Sequence, residues 1–351
     1  CLGNGGLVAM NDEKLWDRAL MLRAWGRSSE KFMHGTRQGD SDGRFLENLG
    51  DIEYDGMFIF EEIAYGFIPN EAGAAFGHEQ LNKLDISGVV VIGEGERDEA
   101  PMLYIGEEVG NGKGPAVDIA LDPLEGTTLT AKDMPNALTV IAMGPRGSMP
   151  HAPDVYMEKL AIGPGLPKNI VSLEMQPVER IKALAVAKNC GHEDITVCVL
   201  ERPRHDKMIA ELRTTGCAIR LITDGDVAGV IHCAESAITG IDMYMGLGGA
   251  PEGVLAAAAL KCMGGQIYGR LIFRNEDEKA RAIKVGITNF DRIYSKDEMV
   301  TQDVIFAATG VTGGSLLPAI KREVGFITTE TILMRSKTGS IRRMIYRNPT
   351  K

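Results

Sequence analysis

Short apolar runs that end in glycine-punctuated acidic turns dominate the middle of the chain. Residues 89–92 (Val-Val-Val-Ile) are continuously apolar, and Ile119-Ala120-Leu121 lies between Asp118 and Asp122. Runs this short, rich in branched residues and bounded by glycine or proline, predict buried central strands lying side by side. Further along, 195–200, 218–222 and 243–247 read as strands that alternate with helical stretches at 206–212, 227–234 and 253–263, predicting a partly parallel α/β layer. The end of the chain differs: 326–334 and 340–346 predict a hairpin across Ser336-Lys337-Thr338-Gly339. Its arginines (Arg335, Arg342, Arg343, Arg347) suit a solvated or subunit-facing strand. The clearest punctuation is Gly163-Pro164-Gly165-Leu166-Pro167-Lys168. It divides the chain into an N-terminal α+β domain, 1–165, and a C-terminal α/β domain, 166–351, both contributing loops to one cleft.

The two central strands run out into acids. One is followed by Gly93-Glu94-Gly95-Glu96-Arg97-Asp98-Glu99, the other by Asp122-Pro123-Leu124-Glu125-Gly126-Thr127. Residues just past the ends of central strands are where α/β folds keep their sites. Asp122 and Glu125 can converge on one hard divalent cation, Mg²⁺ or Mn²⁺ by ligand type, or form an ordinary solvated Asp-Pro turn. Packing Glu94, Glu96, Asp98 and Glu99 beside Asp118, Asp122 and Glu125 requires compensating cations. Thr127 can position a water with an acidic partner, Asp98 or Glu96, or cap a helix starting at the turn. Arg202 and Arg204 bracket Pro203 after a strand, where arginine binds phosphate bidentately or forms a basic surface loop; the adjacent His205 reads as structural. Asp224-Gly225-Asp226 suits sugar hydroxyls, with helix capping as the alternative for Asp226. Glu252 sits in Gly248-Gly249-Ala250-Pro251-Glu252-Gly253, whose glycines point to close backbone approach to a ligand.

Composition narrows the class. At 351 residues and 44% hydrophobic content the chain can bury a sizeable two-domain core, and 42 glycines exceed the usual share and fit many tight loops. A formal net charge of −10 disfavours nonspecific binding to nucleic acid or acidic membrane. Six cysteines without CxxC spacing read as free thiols of a reducing cytoplasm. No apolar run spans a membrane, and the start lacks a signal-peptide core. The opening Cys1 reads as a trimmed or partial start, with Met10 as an alternative.

Taken with 92–107, Ala152-Pro153-Asp154-Val155-Tyr156-Met157-Glu158-Lys159-Leu160, Arg202-Pro203-Arg204-His205, Gly248 to Gly253 and Thr328-Thr329-Glu330-Thr331, these turns resemble the class II fructose-1,6-bisphosphatases. That is the bacterial GlpX type within the lithium-sensitive sugar phosphatase superfamily. The resemblance implies a two-domain αβαβα sandwich, mixing α/β and α+β layers. It implies hydrolysis of fructose-1,6-bisphosphate to fructose-6-phosphate and phosphate in gluconeogenesis, with Mn²⁺ or Mg²⁺, by a homo-oligomer (dimer or tetramer). It further implies metal ligation by Glu94, Asp122, Glu125 and Glu252, and catalytic contributions from Asp98 and Thr127. Substrate contacts then come from Glu125, Gly126, Thr127, Tyr156, Arg202, Pro203, Arg204, Asp224, Gly225, Asp226 and Gly249. The first 80 residues depart from the family: its further ligand Asp aligns with Asn70, and its lysine near that point is missing. That departure leaves open a catalytically impaired sugar-phosphate-binding relative. Within enzymes, a broader bisphosphatase accepting sedoheptulose-1,7-bisphosphate, or an inositol-monophosphatase-like enzyme, is the alternative.

Overall fold

The computed structural model describes residues 46–49, 52–55, 78, 80–93, 103–150, 152–284 and 286–349. The chain packs as two compact units, Leu2–Phe76 and Gly77–Lys351. Within the first, β1 (Leu46–Leu49) and β2 (Ile52–Asp55) pair antiparallel. The site residues described below belong to the second.

That second unit contains two sheets. The strands of one are β3 (Ser87–Ile92), β4 (Glu108–Val109), β5 (Ala116–Glu125), β6 (Leu138–Pro145), β13 (Ile305–Gly310), β14 (Lys321–Glu323), β15 (Phe326–Arg335) and β16 (Ser340–Pro349). They run in the order β14-β15-β13-β6-β5-β3-β4, with β16 pairing β15. The other sheet has the order β12-β11-β7-β10-β8-β9, from β7 (Tyr156–Ile162), β8 (Thr196–Leu200), β9 (Ala218–Ile222), β10 (Met243–Gly249), β11 (Gln266–Ile272) and β12 (Ile293–Ser295). The expected neighbours β3 and β5 are indeed parallel. So are β8 with β9 and β8 with β10. The C-terminal hairpin is also present, over its full ten-residue register. Chain segments before and after residue 165 share both sheets: β7 sits inside the six-stranded sheet, and β13 to β16 sit inside the eight-stranded one.

Helices α1 (Thr127–Ala131), α2 (Pro177–Lys188), α3 (Asp206–Arg213), α4 (Asp226–Ala234) and α5 (Ala250–Met263) complete the arrangement. The largest apolar cluster joins Val140 and Ala142 of β6, Phe306 and Ala308 of β13, Val230 and Ile231 of α4, Ala256 to Leu260 of α5, and Met157 of β7. Helices α4 and α5 therefore lie between the two sheets. A second cluster packs Ile181 and Leu184 of α2 and Ile209 and Leu212 of α3 on Val197, Val199, Met243 and Met245 of the six-stranded sheet. Among the described residues the layers thus run helix, sheet, helix, sheet, the mixed α/β sandwich expected from sequence.

A helix flanked by sheets on both sides has no solvent face, and this accounts for the composition of α5. Ten of its fourteen residues are buried, with alanines at 256–259. Amphipathic helices lie on a core; one apolar all round is enclosed by it. Small side chains let the two sheets approach. Ala257→Leu should therefore cost about 1–3 kcal/mol by overpacking, seen as a lowered urea midpoint; an unchanged midpoint would contradict the enclosed placement.

Candidate active site

The C-terminal ends of β5, β8, β9 and β10 deliver the acidic and basic turns. Asp122 and Glu125 do not flank a turn after the strand, as the sequence suggested. Strand β5 continues through Glu125, and its register with β6 slips between Asp122 and Glu125. A bulge of this kind accommodates Pro123 and re-aims side chains. Asp122 Oδ1 accepts the Leu124 N–H at 2.8 Å, closing the bulge on itself. Gly126 then takes a left-handed φ of 85° and starts α1, so Thr127 is the first helical residue and not its cap. Thr127 is exposed. The next N–H of that helix, on Thr128, is donated to Asp224 Oδ2 at 3.3 Å.

Strand β9 leads into Asp224-Gly225-Asp226, with Gly225 left-handed (φ 80°) and Asp226 opening α4. Asp226 makes no capping bond; its carboxylate pairs with the buried ammonium of Lys159. The two left-handed glycines share a neighbour. A Cβ at Gly126 would fall 2.8 Å, and one at Gly225 3.2 Å, from Leu129 Cδ1. One leucine of α1 thus packs against both turns, from residues about a hundred positions apart.

Strand β10 brings a fifth acid. Glu252 stands in the first turn of α5 behind the cap residue Gly249. Its Oε2 is buried without a hydrogen-bond partner, and a Cβ at Gly249 would lie 1.8 Å from that oxygen. Glycine there leaves room for the Glu252 carboxylate to lie against the backbone.

The electrostatics of these acids are mutually unfavourable. Glu125 is held well above the usual carboxylate range, first by burial and then by the charges of Asp226, Asp122 and Glu252, although the Val227 N–H at 3.0 Å opposes this. Burial and the Asp226 charge push Glu252 up to about 7. Asp122 is raised by burial, and a hydrogen bond with Glu125 opposes that. Carboxyl groups crowded in this way favour a proton or a cation between them. Among the described residues no three His, Cys, Asp or Glu side chains are arranged so as to hold a metal ion together. Still, an all-oxygen donor set, mutually repelling carboxylates and an orphaned Glu252 oxygen suit a hard divalent cation.

Opposite the acids stands a basic and aromatic group. Tyr156 on β7 pairs in register with Gly249. The guanidinium of Arg204 lies 5.0 Å from its ring centroid and that of Arg274 5.1 Å. Arg204 Nη2 and Nε donate to Leu247 O at 2.7 and 3.1 Å, orienting the fork. Arg202 donates to Glu201 O.

The sequence matches the family model described as bacterial fructose-1,6-bisphosphatase, glpX-encoded, over residues 70–347. It is 44% identical over 278 residues to fructose-1,6-bisphosphatase 1 class 2 of Escherichia coli K12, covering 75% of this chain and 82% of that protein. The class 2 fructose-1,6-bisphosphatase of Shigella flexneri matches with the same identity and coverage. The chain belongs to the glpX-encoded bacterial fructose-1,6-bisphosphatase family.

Within this family member the fold brings together Asp122, Glu125, Asp224, Asp226 and Glu252, and separately Tyr156, Arg204 and Gly249. Glu94, Glu96, Asp98, Glu99 and Asn70 lie outside the described residues. Asp118 does not join the acids: its Oδ1 faces Arg146 Nε at 3.4 Å and its Oδ2 accepts the Met149 N–H. His205 is structural, as expected, with Nδ1 2.7 Å from Leu200 O and Nε2 accepting the Leu247 N–H. Burial lowers its pKa and suits this neutral tautomer. Sequence reading missed Lys159 and Arg274. Lys159 stood inside a quoted motif, but a lone lysine in a strand reads as exposed; Arg274 carried no signal at all.

Glu252 yields a pH prediction for the metal-free protein. Its folded pKa, about 7, exceeds the ordinary 4.5, so the folded state keeps a proton that the unfolded chain releases. The associated stability is full below 4.5 and is lost as pH rises to about 7. The melting temperature of EDTA-treated protein should fall by several degrees between about pH 5 and about pH 8, and Glu252→Gln should flatten that fall. Equal slopes would remove Glu252 from the buried cluster.

Proposed function

We propose that this chain hydrolyses the 1-phosphate ester of fructose-1,6-bisphosphate with a divalent cation, Mn²⁺ or Mg²⁺, releasing fructose-6-phosphate and phosphate. One observation carries the reading: acids that raise one another's proton affinity stand beside an Arg–Tyr–Arg group, Glu252 and Tyr156 both meeting Gly249. A bisphosphate needs both, one end for the phosphoryl group that reacts and another to hold the second phosphate. In this reading Asp122, Glu125 and Glu252, with Glu94, hold the cation. When bound, the cation supplies positive charge against the phosphoryl oxygens and the departing alkoxide.

The remaining roles belong to the chain itself. The Thr127 hydroxyl orients the attacking water, and Asp98 takes the proton a threonine is too weak a base to hold. The Gly126 turn brings backbone close to the phosphoryl group, with Glu125 and Thr127 lining it. Asp224, Gly225 and Asp226 accept and position sugar hydroxyls. Tyr156, Gly249 and the Arg202-Pro203-Arg204 turn bind the distal phosphate, the arginine fork matching its oxygens. The buried Cys198, Cys217, Cys233 and Cys262, all free, support a cytoplasmic setting. Ile341, Ile345 and Tyr346, exposed on β16, support a homo-oligomer. No described helix is long and apolar enough to cross a membrane.

Phosphate release from fructose-1,6-bisphosphate should vanish with EDTA and return with Mn²⁺ or Mg²⁺. Asp122→Ala and Glu125→Ala should each abolish it while circular dichroism stays native; activity surviving in both would refute the metal assignment. Arg204→Ala should raise KM more than it lowers kcat, because uniform substrate binding is what it removes. An unchanged KM would exclude the anchor role.

A further inference from the structure

Lys159 is 1% exposed, yet it carries a charge into the centre of the site. In the six-stranded sheet its register partners are both glycine, Gly246 on β10 and Gly269 on β11. Its ammonium reaches Asp226 Oδ2 at the start of α4. Glycine also keeps this path open. A Cβ at Gly248 would lie 2.1 Å from Asp226 Oδ2 and 3.1 Å from Lys159 Nζ.

Desolvating an ammonium costs several kcal/mol, so a buried lysine is retained only with a close partner. Here the partner is the one acid whose charge is felt by Asp122, Glu125 and Glu252 alike. By position and ligand type Asp226 is as able to take a cation as they are. We propose that Lys159 is a positioning residue: as a built-in counter-ion it occupies Asp226 Oδ2, keeps that carboxylate out of the divalent-metal set, and leaves its other oxygen to accept a sugar hydroxyl. The proposal rests on the metal-dependent reading of the site. It assigns the metal to the β5 and α5 acids and the sugar to the α4 acid, two roles that four adjacent carboxylates would otherwise share indiscriminately.

The test is Mn²⁺ titration of the metal-free full chain, followed by the free-ion electron paramagnetic resonance signal, for wild type, Lys159→Met, and Lys159→Met with Asp226→Asn. The single variant releases a carboxylate and should bind Mn²⁺ about tenfold more tightly, with a raised KM for the sugar bisphosphate. The double variant keeps the local charge balance and should bind within about threefold of wild type. It replaces an ion pair by neutral groups, so it still decides the matter if the single variant does not fold. Lys159→Met binding no tighter than wild type would overturn the proposal. So would about tenfold weaker binding by the double variant, because Asp226 would then be a ligand already. A wild type that binds no Mn²⁺ would overturn the metal reading of the cluster and this proposal with it. Binding by the wild type without a gain in Lys159→Met sinks this proposal alone.

Discussion

Carboxylates crowded into a largely enclosed site must be compensated, and the architecture around this site follows from that constraint. Asp122, Glu125, Asp226 and Glu252 raise one another's proton affinity because burial strips away the solvent that would screen them. The protein meets part of the demand itself. Lys159 neutralises Asp226, the Val227 N–H at the start of α4 serves Glu125, and the Leu124 N–H serves Asp122. Glu252 Oε2 receives nothing. A site left short of positive charge in this way is stable only with a proton or a cation added, which couples folding, pH and ligand binding through the same few atoms.

The same constraint explains why the two most enclosed helices begin at the site. Both α4 and α5 are clamped between the sheets, and both present their N-terminal ends to the acids, Asp226 and Glu252 standing in their first turns. A helix N-terminus favours negative charge. Here the alignment is held by packing on two sides, so the donors do not drift when the charge state changes. Leu129 adds a second link, because it packs against Gly126 and Gly225 together and ties the β5 turn to the turn before α4. Displacing one turn must disturb the other.

Much of this was legible in the chain. Apolar runs bounded by glycine located β3, β5, β8 and β10, since a strand buried on both faces must be apolar over most of its length, while β9 and the β15–β16 hairpin were legible from branched and aromatic residues flanking turn signals. The acids at their ends were legible as a site for the same reason, a charge after a buried strand having few other uses. Three features were not legible. The bulge at Asp122 to Glu125 depends on register with β6, Asp118 is diverted by Arg146, and Arg274 reaches Tyr156 from just beyond the end of β11, whose last residue pairs with Tyr156. Each is a relation between strands and leaves no periodic trace in either strand alone.

The sequence by itself determined the family, the α/β layering and which turns carry chemistry, because hydrophobic period, glycine placement and residue type are local properties. Only the tertiary structure decided which charges compensate which. Lys159, read along the chain, is one lysine in an alternating strand. It becomes an internal counter-ion because β7 is paired between β10 and β11, where Gly246 and Gly269 stand opposite it, and because Gly248 leaves room for its ammonium to meet Asp226. Electrostatic pairing acts through space over a few ångströms, and the residues that meet at that range here lie between 67 and 102 positions apart in sequence.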